Sequence, residues 1–322
     1  MEMNKITVCG GGVLGSQIAM QSAYCGKEVT IWLRSEASIE RTQKKLDRLK
    51  NVYYDELDKM KDDPTDANFC GGLATSYDDF DYEACCAKVD AALDSIHLEL
   101  DLKKAVKGAD LVIESISEDE KLKKKFFKKM AKMLDKDTIV VTNSSSFLPS
   151  KFAKETGRPK KFMALHFANN IYKQNLAEAM STKDTDKNVF EDVVAFAESI
   201  NMVPVKIFKE QAGYLLNTLI IPFMAGGMDL VVNGVSTYQD VDKAWRLGTG
   251  APYGPFQIYD IVGLETGYNI VKKYLKIPSF IAPYNFKGQA ALLKKYIDQG
   301  KTGVIAGEGF FKYDKEGNRI DD

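Results

Sequence analysis

The stretch "KITVCGGGVLGSQIAMQSAYCG", beginning at Lys5, restricts the fold more than any other part of the chain. A short apolar strand runs straight into Gly10-Gly11-Gly12-Val13-Leu14-Gly15. A segment with helical periodicity follows and ends at Gly26. G-x-G-x-x-G carries weight only where it links a strand to a helix, as it does here. Its chemistry is that of the backbone. Gly10 permits the tight turn, Gly12 lets the chain approach a pyrophosphate, and Gly15 lets the helix pack on the strand. The helix N-terminus then attracts the negative charge. Val13 and Leu14 complete the loop and count with Gly10, Gly12 and Gly15 as cofactor-binding candidates.

The rest of the first half repeats the alternation. "EVTIWL", "ADLVIESI", "DTIVVTN", "KFMALHF" and "MVPVKI" read as strands. "EDEKLKKKFFKKMAKMLDK" and "DKNVFEDVVAFAESI" read as helices between them. Alternation of this kind implies a doubly wound, mostly parallel sheet with helices on both faces, that is, a Rossmann-type α/β domain. We place that domain at residues 1–207, with an irregular helical arm at about 37–95 that is acidic and broken near Pro64 and Gly71-Gly72. Residues 208–322 read as helices with Gly- or Pro-marked joints, an all-α C-terminal domain. Its first helix is apolar nearly all round, which suggests burial in a core or a subunit interface.

Composition excludes several classes. With 322 residues and a formal net charge of −1, there is no global electrostatic case for nucleic acid or an anionic membrane. No apolar run is long enough to span a bilayer, and the start shows no secretory hydrophobic region, so we expect a cytoplasmic protein. The five cysteines form no C-x-x-C pair, and two distant histidines complete no metal set. The basic run "KLKKKFFKKMAKM" sets Phe126, Phe127, Met130 and Met133 on one face, the pattern of a solvated amphipathic helix.

The second strand ends in "WLRSE", where dinucleotide sites usually carry an acid for the adenosine ribose. Leu33 cannot accept that hydrogen bond, and Glu36 would have to reach back. Arg34, with Ser35, suits a 2′-phosphate instead. We therefore expect NADP(H) to be favoured over NAD(H), the alternative being that Arg34 is a surface arginine.

Polar residues stand where the later strands run out: "ESISEDEK", "TNSSSF", "LHFANNIYKQNLAEAM" and, opening the helical domain, "GYLLNTL". In this order, with the tail "GPFQIYDIVGL" and "GKTGVIAGEGFFKY", the chain resembles the L-3-hydroxyacyl-CoA dehydrogenase family, most of all its short-chain 3-hydroxybutyryl-CoA members. The resemblance covers nearly the whole chain. It implies His166 as general acid/base, removing the 3-hydroxyl proton during oxidation and returning it during reduction. An imidazole suits this because it titrates near neutrality. It implies Glu178 as the carboxylate that orients the ring, Ser145 and Asn217 as groups on the substrate oxygens, and Asn169 as a substrate-positioning residue. Glu118, Lys121 and Asn143 match family positions beside the cofactor. The residues alone leave Ser144 and Ser146 open beside Ser145, a structural role open for Asn217, and surface exposure open for Lys121. His97 in "SIHLEL" matches nothing and reads as a strand residue without a role.

Two departures matter. The family often has proline where this chain has Asn170, which alters the pocket wall. The family's helix pair supplies basic residues to CoA, and Lys44, Lys45, Arg48 and Lys50 stand there, but the segment that follows is acidic. The same chemistry on a free small hydroxy acid therefore stays open beside the acyl-CoA reading, as does a non-catalytic nucleotide-binding homologue. A reductase of the 6-phosphogluconate or 3-hydroxyisobutyrate kind would need a lysine between Asn217 and Gly227, and none is there. The family's C-terminal domains pair, so a homodimer through residues 208–322 is expected.

Overall fold

A computed structural model describes residues 2–315 and 317–320. The chain divides into two compact units, residues 1–215 and 216–322. The division falls after Leu215 rather than at 207, because Tyr214 and Leu215 bond back into the first unit through Ser144 and Glu178.

The first unit holds one sheet of eight strands: β1 (Lys5–Cys9), β2 (Glu28–Trp32), β3 (Ile96–Glu99), β4 (Leu111–Glu114), β5 (Ile139–Thr142), β6 (Phe162–Phe167), β7 (Leu176–Ser181) and β8 (Val203–Ile207). Their order is β3-β2-β1-β4-β5-β6-β7-β8, and every neighbouring pair is parallel except β6 with β7. The chain crosses from one side of β1 to the other between β3 and β4. That topological switch point is where an open sheet of this kind receives a ligand, beyond the C-terminal ends of the strands.

Helix α1 (Val13–Tyr24) follows the Gly-rich loop, and α2 (Glu36–Asp62) with α3 (Tyr82–Ser95) forms the arm. Short α4 (Leu102–Ala105), amphipathic α5 (Glu120–Met130), short α6 (Ser150–Ala153) and α7 (Lys187–Ser199) complete the layers. Asp119 caps α5 by accepting the Leu122 N–H, and Asp81 caps α3 through the Ala84 N–H. One face of the sheet packs with α1, the arm and α7 around Ile6, Val8, Ile31 and Phe167. The other buries Val112, Val140, Phe126, Phe127 and Phe152. The arm is two helices broken between residues 62 and 82, as its Pro and Gly residues suggest.

Strand β7 is the element that the apolar pattern does not announce. "LAEAMS" is rich in alanine and carries a glutamate, a composition that does not favour strands. Tertiary pairing overrides it, because β7 fills the place between β6 and β8.

The second unit is helical: α8 (Leu216–Val232), α9 (Tyr238–Thr249), α10 (Pro255–Val262), α11 (Leu264–Tyr274) and α12 (Phe286–Ile297). Gly263, with φ 90°, separates α10 from α11. Two buried carboxylates hold this unit by accepting backbone N–H groups: Asp242 from Phe256 and Gln257, and Asp260 from Phe310 and Phe311. Helix α8 buries Met224, Ala225, Gly227 and Met228 but leaves Leu219 and Leu230 exposed. Among the described residues no helix is long and apolar enough to cross a membrane, and no group of side chains is arranged to hold a metal.

Candidate active site

The three glycines of the loop are constrained differently. A Cβ on Gly10, whose φ is 121°, would lie 2.5 Å from the Ser115 carbonyl oxygen, and one on Gly15 would lie 2.0 Å from the Gly10 oxygen. Around Gly12 nothing lies within 4 Å of that position. The chain is thus closed on its own side at Gly10 and Gly15 and open at Gly12, at the N-terminus of α1, as a pyrophosphate requires. Val13 is exposed there, and Leu14 packs inward against the core.

Beside this loop, Leu33 is buried and Arg34 is exposed. From α2, Lys45 donates to the Gly11 carbonyl at 2.9 Å. Lys45 therefore meets the Gly-rich loop, and Lys44 forms an exposed pair with Glu40 at 2.6 Å.

His166 and Glu178 are directly opposed in the antiparallel register of β6 and β7, so their side chains rise on the same face. Nδ1 of His166 lies 2.9 Å from Oε2 of Glu178, and both residues are buried. The carboxylate only accepts, so Nδ1 carries a proton, which in the neutral ring leaves the lone pair on Nε2. The other oxygen, Oε1, accepts the Leu215 N–H at 2.8 Å. Tyr214 stacks on the imidazole with ring centroids 4.5 Å apart. It does so from φ 54°, a left-handed conformation that a bulky residue adopts only where its surroundings enforce it. Its hydroxyl donates to the Ser144 carbonyl at 2.7 Å, and burial pushes the phenol well above its ordinary range.

The hydroxyls of the serine loop are engaged differently. Ser144 and Ser146 both donate to Oε1 of Glu118, at 2.5 and 2.8 Å. Ser145 is exposed and its hydroxyl has no partner among the described residues. Asn143 accepts the Phe167 N–H at 3.0 Å, tying the end of β5 to the residue after His166. Asn169 is exposed in the turn beyond β6.

Behind the serine loop lies a buried network that the sequence reading missed. Lys123, only 1% exposed, pairs with Glu114 at 2.5 Å and with Glu118 at 3.2 Å. Burial raises the Glu114 carboxyl, against the opposing pull of Lys123 and the hydroxyl of Thr142. Burial also penalises the Glu118 charge, but its hydrogen bonds from Ser144 and Ser146 and the charge of Lys123 outweigh that and hold it below its ordinary value. Lys121 is exposed on the solvent side of α5 and does not join this network. The missed signal was legible: positions 123, 126, 127 and 130 form one helical stripe, so Lys123 lies on the apolar face. The segment "GYLLN" contributes Tyr214 to the imidazole face as well as Asn217 to the next helix. Asn217 opens α8 in the second unit.

Residues 5–211 match the family described as "3-hydroxyacyl-CoA dehydrogenase, NAD binding domain", and residues 213–313 match its "C-terminal domain". Human mitochondrial hydroxyacyl-coenzyme A dehydrogenase is 30% identical over 308 residues, 96% of this chain and 90% of the relative. The 3-hydroxybutyryl-CoA dehydrogenase of Clostridioides difficile is 28% identical over 97% of this chain and 100% of its own length. Among solved structures, a diketoreductase described for its substrate-directed dual catalysis of dicarbonyl compounds is 40% identical. It superimposes with a TM-score of 0.84 over 97% of this chain and 100% of the other. Two matches that together span most of the chain, and a relative 30% identical over nearly all of it, make this protein a member of the 3-hydroxyacyl-CoA dehydrogenase family, a nicotinamide-dependent dehydrogenase acting on a CH–OH group.

Proposed function

We propose that the chain interconverts a 3-hydroxyacyl-CoA, of the short 3-hydroxybutyryl kind, and its 3-oxo form, with His166 and Glu178 as the acid–base pair. The observation that carries this is the buried 2.9 Å contact between Nδ1 and Oε2, which leaves Nε2 as the basic atom. In oxidation, Nε2 takes the hydroxyl proton, and Glu178 stabilises the imidazolium so formed. In reduction, the imidazolium returns the proton to the oxygen. Ser145, whose hydroxyl has no partner among the described residues, and Asn217 are the groups we assign to the substrate oxygen, and Asn169 to substrate positioning. A nicotinamide dinucleotide, its pyrophosphate held by the Gly-rich loop, would supply the hydride acceptor or donor.

For the cofactor we favour NADP(H). Arg34 is exposed after β2, no acid follows that strand directly, and Lys45 adds a second cation at the loop. A homodimer through the helical unit accounts for the exposed Leu219 and Leu230 of α8, and a cytoplasmic location remains our expectation.

A second reading keeps the chemistry and drops CoA. The 40% identity to a diketoreductase favours it, as do the ion-paired Lys44 and the acidic arm. Rates with acetoacetyl-CoA and free acetoacetate, each with NADH and NADPH, separate the two. Turnover of the thioester alone supports the CoA reading, and turnover of the free acid alone overturns it.

A further inference from the structure

The turn between β6 and β7 is held in a way that the acid–base pair does not itself require. Asn170 sits at φ 59°, and its backbone N–H donates to Oε1 of Gln17 at 2.8 Å. The Ile171 N–H approaches the same oxygen at 3.4 Å. Gln17 is 5% exposed and lies on α1, just beyond the Gly-rich loop. A proline at 170 could make neither feature, because its ring fixes φ near about −65° and removes the N–H.

The arm closes on the same turn from the other side. Gly72 donates its N–H to the Tyr172 carbonyl at 2.9 Å, and Glu56 pairs with Lys173 at 3.3 Å. A Cβ on Gly72 would lie 2.7 Å from the Tyr172 backbone, so the approach depends on that glycine. Tyr172 packs on Tyr53, whose hydroxyl donates to Gln21, one turn along α1 from Gln17. The turn that presents Asn169 is therefore clamped between the cofactor helix and the acidic arm.

We propose that Gln17 is a positioning residue for substrate binding. By fixing the left-handed turn at Asn170, it determines how closely Asn169 approaches the acyl part of the substrate beside His166. This rests on the reading that His166 and Asn169 face the substrate. Gln17 acts through the turn and touches neither the substrate nor the reacting atoms.

The test compares Gln17→Leu, Asn170→Gly, Asn170→Pro and the double variant Gln17→Leu/Asn170→Pro. Gln17→Leu should raise the KM for the carbonyl substrate about tenfold, the scale of one lost hydrogen bond, with kcat and the directly titrated cofactor affinity nearly unchanged. Asn170→Gly keeps the N–H and tolerates φ 59°, so it should retain the wild-type KM. Asn170→Pro should lose as much as Gln17→Leu or more, and the leucine should add nothing in the proline background. Hydrogen exchange of the Asn170 amide should accelerate in Gln17→Leu. A wild-type KM in Gln17→Leu, an equal weakening of cofactor affinity, or an additive loss in the double variant would each overturn the proposal. Failure of the catalytic reading shows differently, as wild-type turnover surviving in His166→Gln.

Discussion

Leu215 donates its backbone N–H to the oxygen of Glu178 that His166 does not use, so the chain leading out of the first unit also holds the carboxylate paired with His166. Each oxygen of Glu178 thus has a fixed donor, one on a ring and one on the main chain.

That division makes Glu178→Gln a sharp test. A glutamine has one acceptor oxygen, so either the Leu215 N–H or Nδ1–H loses its partner. If the amide NH₂ faces the ring, Nδ1 becomes the acceptor and the proton moves to Nε2, the atom needed as the base. We expect kcat to fall by about 10²- to 10⁴-fold, with a comparable fall for His166→Gln and little change in cofactor binding. Fluorescence titration with NADH and NADPH beside steady-state rates checks this. A loss of cofactor affinity matching the loss of rate would refute the assignment.

Lys123 and Lys121 should behave oppositely. Lys123→Met removes the cationic partner of the buried Glu114 and should cost about 3–5 kcal/mol, read as a lowered urea midpoint. Adding Glu114→Gln should recover much of that cost. Lys121→Ala should stay within about 0.5 kcal/mol, as exposed positions do. Equal effects of the two single variants would contradict the network as described.

Arg34→Ala discriminates between cofactors. It should raise the KM for NADPH by about tenfold or more and leave that for NADH nearly unchanged, since only the former carries the 2′-phosphate. Parallel changes would make Arg34 an ordinary surface residue and remove the case for NADP(H).

Asp260 gives the second unit a pH dependence. Burial lifts its carboxyl from 3.8 to about 6, although the Phe310 and Phe311 N–H groups and the Tyr313 hydroxyl pull the other way. Below about pH 4 the folded and unfolded chains both hold the proton. As pH rises from 4 to 6, the unfolded chain releases it first, so the native state loses stability over that window, by an amount on the order of 3 kcal/mol. In Asp260→Asn, lost hydrogen bonds shift the whole curve, and the stability of the variant relative to wild type should rise between pH 4 and 6. Parallel curves would show that Asp260 does not titrate there.

Sequence legibility followed how local each signal was. The Gly-rich loop and the strands ending at Glu114, Thr142 and Phe167 were written in contiguous residues, so their positions could be read directly. The closeness of His166 and Glu178 was implied by a family spacing, but the reason for it, an antiparallel hairpin, was not. Strand β7 exists because β6 and β8 flank it, and no local propensity encodes that. Lys123 was hidden by its own charge, since a lysine within a basic run looks solvated until the phenylalanine stripe is traced through it. Tyr214 and Gln17 act through contacts with residues 48 and 153 positions away, at His166 and Asn170, which no window along the chain can contain.

The β6–β7 hairpin bears on how such a chain can evolve. Side chains alternate along a strand, so moving β7 by one residue against β6 would set Ala177 or Ala179 opposite His166 and turn Glu178 to the far face. Insertions and deletions in residues 168–175 are therefore tolerated only if the pairing is restored, whereas the exposed part of the arm at 63–67, ahead of the buried residues around Gly72, can lengthen. Lineages that change what they bind should accumulate length variation in the arm and point substitutions, not indels, in the hairpin turn.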